Sequence, residues 1–212
     1  MGIYTIAITG ASGSIYGIRL LKYLLEKRHN VYLTITREGC LILKDEVGFD
    51  WLESQKEIAI EKQKNIEKLT GKKIKDDFKV KLAILQYYDE TNLSAPISSG
   101  SVEVDAMIVI PCSMKTLSGI ACGYANNLVE RAADVMLKEG RTLILVPRET
   151  PLNTIHLRNM LILSEMGAKI IPAMPAFYSH PEKIDDLVDF VVGKVLDSLG
   201  IKNNLFKRWK GQ

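Results

Sequence analysis

The sequence predicts an α/β fold: a doubly wound parallel sheet with helices on both faces, formed by a single domain. Short apolar, often β-branched runs alternate with stretches of helical periodicity along most of the 212 residues. Strands that alternate with helices through right-handed crossovers give a parallel sheet that is covered on both sides. A chain of this length can also bury a full core without disulfides or metal.

Five segments have the apolar pattern of buried strands. The third and the fourth of these segments are each followed immediately by a proline, which we expect to end the strand. The predicted strands are Ile3–Thr9, Val31–Thr36, Ala106–Ile110, Thr142–Val146 and Lys169–Ile171.

The intervening segments carry apolar residues at helical spacing. We expect helices over 15–28, 41–46, 115–122, 128–139, 154–166 and 181–199. Asn153 is placed to cap the fifth helix, and Gly167 is placed to end it. Together with the strands, these helices define a Rossmann-like architecture.

One stretch breaks the alternation of strands and helices. Residues 44–81 hold ten lysines and nine acidic residues but few apolar ones. We predict an exposed helical excursion whose charges form a solvated face. We assign residues 1–201 to the domain and residues 202–212 to a C-terminal tail that contributes to subunit contacts.

Composition excludes several classes of protein. Hydrophobic residues make up 47% and charged residues 25%, which excludes a disordered chain. A net charge of +3 is too small to indicate nucleic acid binding, and no apolar run approaches the roughly 20 residues of a membrane span. The three dispersed cysteines indicate reduced thiols in the cytoplasm, and the three histidines lack metal-binding spacing.

Candidate chemistry lies at the carboxyl ends of the predicted strands, where open α/β sheets bind ligands. The first such end is Thr9–Ser14, a loop of small residues between a strand and a helix. It matches neither G-x-G-x-x-G nor the G-x-S-x-G nucleophile elbow. Helix N-terminal amides favour an anion, so we predict a phosphate or cofactor loop, with a plain tight turn as the alternative.

Three further strand ends are polar or aromatic. Residues 111–116 place hydroxyls at a helix start, which either bind a ligand or only cap the helix. Cys112, within this segment, is more typical of a buried apolar thiol than of a nucleophile. Residues 147–151 hold Arg148 and Glu149 between two prolines, and residues 175–178 end in two aromatics that either join the core or line a ligand.

Cationic side chains on two helices are weaker candidates. Arg131 and Lys138 share one helix face, where they either hold phosphates or are simply solvated. Lys194 borders the apolar stripe of the last helix, which is typical of a snorkelling lysine.

Taken together, the motifs resemble those of the UbiX family of flavin prenyltransferases over nearly the whole chain except residues 44–81. The resemblance is carried by Thr9-Gly-Ala-Ser-Gly-Ser-Ile-Tyr-Gly-Ile-Arg-Leu-Leu21, Pro111-Cys-Ser-Met-Lys-Thr-Leu-Ser118, Asn126-Asn-Leu-Val-Glu-Arg-Ala-Ala-Asp134, Val146-Pro-Arg-Glu-Thr-Pro151, Ile155-His-Leu-Arg-Asn-Met160 and Phe177-Tyr178.

The resemblance implies transfer of a dimethylallyl group from dimethylallyl phosphate to N5 and C6 of reduced FMN. The product, prenylated FMN, would be handed to a UbiD-type decarboxylase. The family assembles as a homododecamer. The resemblance does not identify the decarboxylase that is served or decide between a monophosphate and a diphosphate donor.

The resemblance also implies a role for each matching residue. FMN would be bound by Gly10, Ala11, Ser12, Thr36, Ser113, Met114, Lys115, Thr116 and Arg131. The prenyl phosphate would be held by Lys138, Arg148, Glu149, Tyr178 and Lys194. Glu46 and Trp209 would be contributed by neighbouring subunits.

These residue types suit the implied reaction. Ionisation of an allylic phosphate needs cations around the leaving group, which Lys138, Arg148 and Lys194 would supply without metal. Glu149 would act as a proton donor. The π faces of Phe177, Tyr178 and Trp209 would stabilise an allylic cation.

Two other functions compete with this one. A flavin-dependent cysteine-type decarboxylase of the same superfamily would carry a histidine before the strand at Ala106, but no histidine occurs between His29 and His156. A non-catalytic flavin-binding module would have no need of Glu149 and Tyr178 beside three cations.

Overall fold

The computed structural model of the chain, which describes residues 1–51 and 85–209, contains one parallel six-stranded sheet. Its strands are β1 (Ile3–Ile8), β2 (Asn30–Ile35), β3 (Leu85–Tyr87), β4 (Ala106–Cys112), β5 (Thr142–Pro147) and β6 (Lys169–Ile170). Their spatial order is β3-β2-β1-β4-β5-β6. The chain therefore changes direction across the sheet between β1 and β4, which creates a crevice at their carboxyl ends.

Six α-helices of the described residues cover the two faces of this sheet. They are α1 (Ser14–Glu26), α2 (Arg37–Val47), α3 (Met114–Ala121), α4 (Leu128–Lys138), α5 (Thr154–Glu165) and α6 (Ile184–Ser198). A short 3-10 helix, Pro96–Ser98, precedes β4. The predicted Rossmann-like, doubly wound fold is confirmed.

Alternation along the strands divides the core between the two faces. On β1, Ile6 and Ile8 pack into one cluster with residues of α1, α2 and α6, whereas Ala7 faces the other cluster. That second cluster is formed with α3, α4 and part of α5. Because both faces are covered, the central strands β1, β4 and β5 are mainly apolar and buried on both sides.

Several predicted boundaries were wrong. The second helix, predicted over 41–46, begins at Arg37. Pro111 does not end its strand: β4 continues to Cys112, which pairs with Pro147 after an irregularity in register that follows Val109. Proline lacks an N–H and is tolerated at such irregularities. The last helix begins at Ile184 rather than Pro181, and the short strand β3 was not predicted.

The charged excursion predicted over residues 44–81 falls only partly on the described residues. Residues 52–81 lie outside them. Within the described part, α2 continues to Val47, and Trp51 is only 4% exposed. The Trp51 ring packs against Tyr87 and Phe49 at 4.8 and 5.9 Å between centroids. Residues 44–48 are exposed, whereas Phe49 and Trp51 pack against the core.

Gly17 sets how closely α1 approaches the sheet. A Cβ atom there would lie 2.5 Å from the Ile110 carbonyl oxygen and 2.9 Å from the Ile8 side chain. Backbone atoms of β4 cannot move aside as a flexible side chain can. Gly17 is therefore a packing requirement that fixes the position of the loop leading into α1.

We predict that Gly17→Ala destabilises the protein by about 1–3 kcal/mol, because overpacking displaces α1. In an exposed helix the same change would stabilise by about 1 kcal/mol. Denaturant unfolding of both proteins measures the difference. Lys22→Ala on the same helix is the control and should change stability by less than about 0.5 kcal/mol. A Gly17→Ala protein as stable as the wild type would contradict the close approach.

Candidate functional site

The loops that follow β1 and β4 are joined by the buried hydroxyl of Thr9. Its Oγ1 donates a hydrogen bond to the Pro111 carbonyl at 2.8 Å and accepts one from the Ser113 amide at 2.8 Å. The Thr9 amide also donates to Pro111 at 3.2 Å. The two predicted ligand loops thus form one rigid edge of the crevice.

The amides at the start of α1 are held by a carboxylate of the chain itself. Glu46 accepts hydrogen bonds from the Gly13 amide at 3.0 Å, the Ser14 amide at 2.9 Å and the Ser14 hydroxyl at 2.7 Å. Partial burial favours the neutral acid, but hydrogen bonds from the Ser12 and Ser14 hydroxyls and these amides outweigh it and lower the Glu46 pKa. The Glu46 carboxylate therefore occupies this helix start, where the sequence predicted a phosphate or cofactor.

The start of α3 offers an alternative anion site. Ser113 caps the helix, because its Oγ accepts a hydrogen bond from the Thr116 amide at 3.2 Å. The backbone amides of Met114 and Lys115 have no acceptor among residues 1–51 and 85–209. Unpaired amides at a helix N-terminus attract a negative group.

An ion pair lies across the crevice beside this helix start. The Lys115 ammonium contacts the Glu38 carboxylate at 2.8 Å, which raises the pKa of Lys115 and lowers that of Glu38. Thr36, also a predicted FMN contact, is buried and caps α2 through its hydroxyl. Sequence analysis missed Glu38, although its place two residues after Thr36 at a strand end was a usable signal.

Gly10 packs closely against the start of α2. A Cβ atom there would lie 2.4 Å from the Cβ of Glu38. Ala11 beside it is buried and equally small. This small-residue floor, with hydroxyls and unpaired amides at one end, fits the flat ring and phosphate of FMN.

The end of β5 reaches the same crevice. The Arg148 Nε donates a hydrogen bond to the Ser12 carbonyl at 3.3 Å. The Glu149 carboxylate accepts one from the Thr150 amide at 3.0 Å. Both side chains are partly exposed, so the structure brings the predicted Arg148 and Glu149 to the edge of the first loop.

Aromatic residues form a row near the end of α6. The Tyr178 ring packs edge-on against Phe190 at 5.8 Å and against Trp209 at 6.1 Å. Phe177 is 69% exposed, which makes it a surface residue rather than a core residue. Lys194 is exposed on α6.

The C-terminal tail packs against its own chain. Asn203 donates hydrogen bonds to the Gly193 carbonyl at 3.2 Å and to Asp197 at 2.9 Å. Arg208 also pairs with Asp197 at 2.7 Å. The sequence assigned this tail to subunit contacts. Because these bonds hold the tail against α6, only its outer surface, such as the 67% exposed Trp209, can contact a neighbouring subunit.

Two predicted cations lie in a separate polar cleft of about 400 Å³. Arg131 donates to the Ser98 carbonyl at 3.1 Å and pairs with Asp134 at 2.8 Å, and Lys138 pairs with Glu139 at 2.5 Å. The cleft is lined by Ser98, Ser99, Gly100, Ser101, Arg131, Lys138 and Glu139. The sequence analysis did not predict the serine-rich loop or the two carboxylates that pair with these cations.

The Lys138 end of this cleft and the crevice lie near opposite ends of strand β5. Lys138 ends α4 just before β5 begins, whereas Arg148 follows its last residue, Pro147. Six residues of strand span roughly 20 Å. The structure therefore does not bring Lys138 into contact with Arg148 within one chain.

Other candidate groups carry no chemistry. Burial raises the pKa of the Cys112 thiol, as expected for a structural cysteine. In residues 1–51 and 85–209, no cluster of three or more His, Cys, Asp and Glu side chains could hold a metal ion. None of the helices described is long and apolar enough to span a membrane.

Comparison with known proteins gives a consistent result. The Flavoprotein family model matches residues 4–196. A flavin prenyltransferase UbiX of Halalkalibacterium halodurans is 50% identical, covering 98% of this chain and 93% of that protein. One from Methanocaldococcus jannaschii is 47% identical, covering 96% of each chain.

Solved structures agree with the sequence relatives. The crystal structure of AnUbiX in complex with FMN and dimethylallyl pyrophosphate has a TM-score of 0.83 and 37% identity, covering 100% of this chain and 98% of that chain. A dodecameric FMN-dependent UbiX-like decarboxylase from Escherichia coli O157:H7 has a TM-score of 0.82 and 41% identity, covering 99% and 100%. A cysteine decarboxylase, TvaF, is only 15% identical and shares the fold alone.

We predict that Gly10→Ala weakens FMN binding roughly tenfold or more, equivalent to about 1.4 kcal/mol. The added methyl displaces Glu38 and narrows the floor of the crevice. Fluorescence titration with FMN measures the change. Gly140→Ala is the control for backbone strain: a Cβ there meets no neighbouring atom, but the φ of 64° disfavours a side chain, so this variant should lose stability and keep its FMN affinity. Equal affinity in both variants would remove Gly10 from the binding site.

Proposed function

The chain belongs to the UbiX family of flavin prenyltransferases, and we propose that it transfers a dimethylallyl group from its phosphate ester to N5 and C6 of reduced FMN. The proposal rests on three features that follow the carboxyl ends of β1, β4 and β5. These are a floor without side chains at Gly10, unpaired amides at the start of α3, and the Arg148–Glu149 pair.

FMN would bind in the crevice between β1 and β4. The ring would lie along Gly10, Ala11 and Ser12. The FMN phosphate would accept hydrogen bonds from the backbone amides of Met114 and Lys115, with the hydroxyls of Ser113 and Thr116 nearby. The Lys115 ammonium, now paired with Glu38, lies close enough to be shared with that phosphate. Reduced FMN supplies the nucleophilic ring atoms that accept the dimethylallyl group.

The cations stabilise the departing phosphate. When the allylic C–O bond breaks, its electron pair leaves with the phosphate, and nearby positive charge lowers the barrier. Arg148, Tyr178 and Lys194 would act together from one chain. Arg131 and Lys138 would be supplied by a neighbouring copy. These side chains would neutralise the phosphate without a metal ion.

Glu149 would move a proton at the leaving group. It directly follows Arg148 in the segment that comes after β5, so both side chains could approach one phosphate. A carboxylate would repel phosphate oxygens, whereas a protonated carboxyl donates a hydrogen bond and then a proton to them. Tyr178, Phe177 and Trp209 present aromatic surfaces to the allylic group.

Assembly completes the site. A relative at 41% identity is described as dodecameric, and this chain alone leaves two predicted cation groups apart. We therefore propose a homo-oligomer, a dodecamer, with sites between subunits. Glu46 and Trp209 would also face a neighbour there, although both contact their own chain. Residues 1–201 would form the catalytic domain and residues 202–212 the tail.

The product places the protein before a second enzyme. A prenylated flavin is useful only to a protein that binds it, and we propose hand-over to a UbiD-type decarboxylase in the cytoplasm. Neither nucleic acid nor a membrane takes part. A cysteine-type decarboxylase activity has less support, since the decarboxylase TvaF is only 15% identical.

The proposed function is tested by incubating the protein with reduced FMN and dimethylallyl phosphate in excess chelator, with the diphosphate in a parallel reaction. Mass analysis should show flavin enlarged by one dimethylallyl group. Unchanged flavin with both donors would contradict the function. Activity that appears only on addition of Mg²⁺ would contradict phosphate binding by side chains alone.

We predict that Glu149→Gln binds FMN normally but slows prenyl transfer on the order of a hundredfold or more. Glutamine keeps the shape and a hydrogen-bond donor but cannot transfer a proton. Single-turnover kinetics with varied dimethylallyl phosphate separates the rate at saturation from substrate binding.

Thr150→Ala is the control for the Glu149 experiment, because it removes a neighbouring exposed hydroxyl and leaves the carboxyl. It should retain the wild-type rate at saturation. If Glu149→Gln instead weakens substrate binding and keeps that rate, Glu149 only braces the cations and the proton-donor role is wrong.

A further inference from the structure

Three helices begin around the candidate crevice, and they differ in what holds their first amides. At the start of α1 the Glu46 carboxylate accepts the hydrogen bonds. At the start of α2 the Arg37 amide donates to the Glu90 carboxylate at 2.5 Å, and the Gly39 amide donates to the Thr36 hydroxyl at 3.0 Å. Of the three, only α3 therefore offers a flavin phosphate amides without an acceptor in the described residues.

Glu38 links α2 to the start of α3. Its Cβ packs against the Gly10 backbone, where an added Cβ would lie 2.4 Å away. Its carboxylate contacts the Lys115 ammonium at 2.8 Å. Lys115 is the second residue of α3, so its backbone amide and its ammonium would serve the same phosphate. Glu38 therefore holds the cation that the proposed FMN phosphate would use.

The surroundings of this ion pair are acidic. Partial burial raises the pKa of Glu90, and the like charges of Glu38 and Asp89 raise it further. The hydrogen bond with Glu38 raises the pKa of Lys115, to which the charge of Glu90 also contributes. A phosphate that binds here must separate Lys115 from Glu38 and then lie close to that carboxylate. Both effects weaken its binding, because like charges repel.

Weak retention of the phosphate suits the proposed function. The flavin is the acceptor in that reaction, so the prenylated product must leave before the next turnover. Additional attraction on the phosphate would slow this step, since differences in affinity appear mostly in the dissociation rate. We propose that Glu38 competes with the flavin phosphate for Lys115 and thereby speeds release of the product. The competition needs only FMN binding, whereas its consequence for turnover rests on the proposed function.

The opposite role for Glu38 would change binding in the opposite direction. If Glu38 served to hold Lys115 ready for the phosphate, removing its charge would free the ammonium and weaken FMN binding. If Glu38 competes, the same change strengthens FMN binding. Glu38→Gln separates the two roles, because it keeps the side-chain length and the Cβ contact with Gly10 and removes only the charge.

Glu38→Gln should tighten FMN binding roughly threefold or more, a modest effect because the ion pair is solvent-exposed. FMN dissociation should slow by a similar factor. Fluorescence titration measures the affinity, and stopped-flow displacement measures the dissociation rate. Riboflavin, which lacks the phosphate, should bind both proteins equally. Multiple-turnover prenyl transfer should be slower in the variant, whereas the single-turnover rate should be unchanged.

Two controls separate competition for Lys115 from a general change of charge. Glu165→Gln alters the exposed last residue of α5, removes the same charge and should leave FMN affinity unchanged. Lys115→Met should weaken FMN binding. Glu38→Gln added to Lys115→Met should change the affinity by less than about twofold, because the contested cation is gone.

Unchanged or weaker FMN binding in Glu38→Gln would overturn the proposal, as would riboflavin binding that tightens equally. The full effect of Glu38→Gln in the Lys115→Met background would also overturn it. An unchanged multiple-turnover rate would remove the role in product release. The titrations contain no prenyl donor, so they decide the competition even if the protein transfers no dimethylallyl group.

Discussion

The length of one strand determines how this protein can bind a phosphate ester. β5 keeps Lys138 at one edge of the sheet and Arg148 at the other, roughly 20 Å apart. A lysine or arginine side chain reaches well under half of that distance. Lys138 and Arg148 can therefore serve one phosphate ester, as proposed above, only from two copies.

Three of the predicted phosphate-binding cations are paired with carboxylates. Lys115 contacts Glu38, Arg131 contacts Asp134, and Lys138 contacts Glu139. Such exposed pairs add little stability because solvent screens them, so a phosphate can displace the carboxylate at little cost. Each carboxylate neutralises the positive charge of its cation. Glu46 differs, because four donor groups hold it at the start of α1 and lower its pKa.

The sequence predicted the fold well because local signals determine it. Asn153 caps α5 as expected, and the polar strand ends do meet at one edge. Long-range pairing was not predictable in the same way. Nothing local shows that Glu46, 32 residues beyond Ser14, takes the amides offered to a phosphate. The seven-residue spacing placed Arg131 and Lys138 on one helix face correctly, but spacing carries no information about which edge of the sheet that face approaches. Trp51 lies in a charged segment, and its burial against Tyr87 depends on a strand that the sequence did not predict.

The central claim is that one site draws Arg148 and Lys138 from different copies. It is tested most directly by co-expressing Arg148→Met and Lys138→Met chains, each of which should be inactive alone. In mixed oligomers about a quarter of the sites would combine both intact residues, so prenyl transfer should recover to about a quarter of the wild-type rate. Mixed oligomers that form but remain inactive would contradict the account.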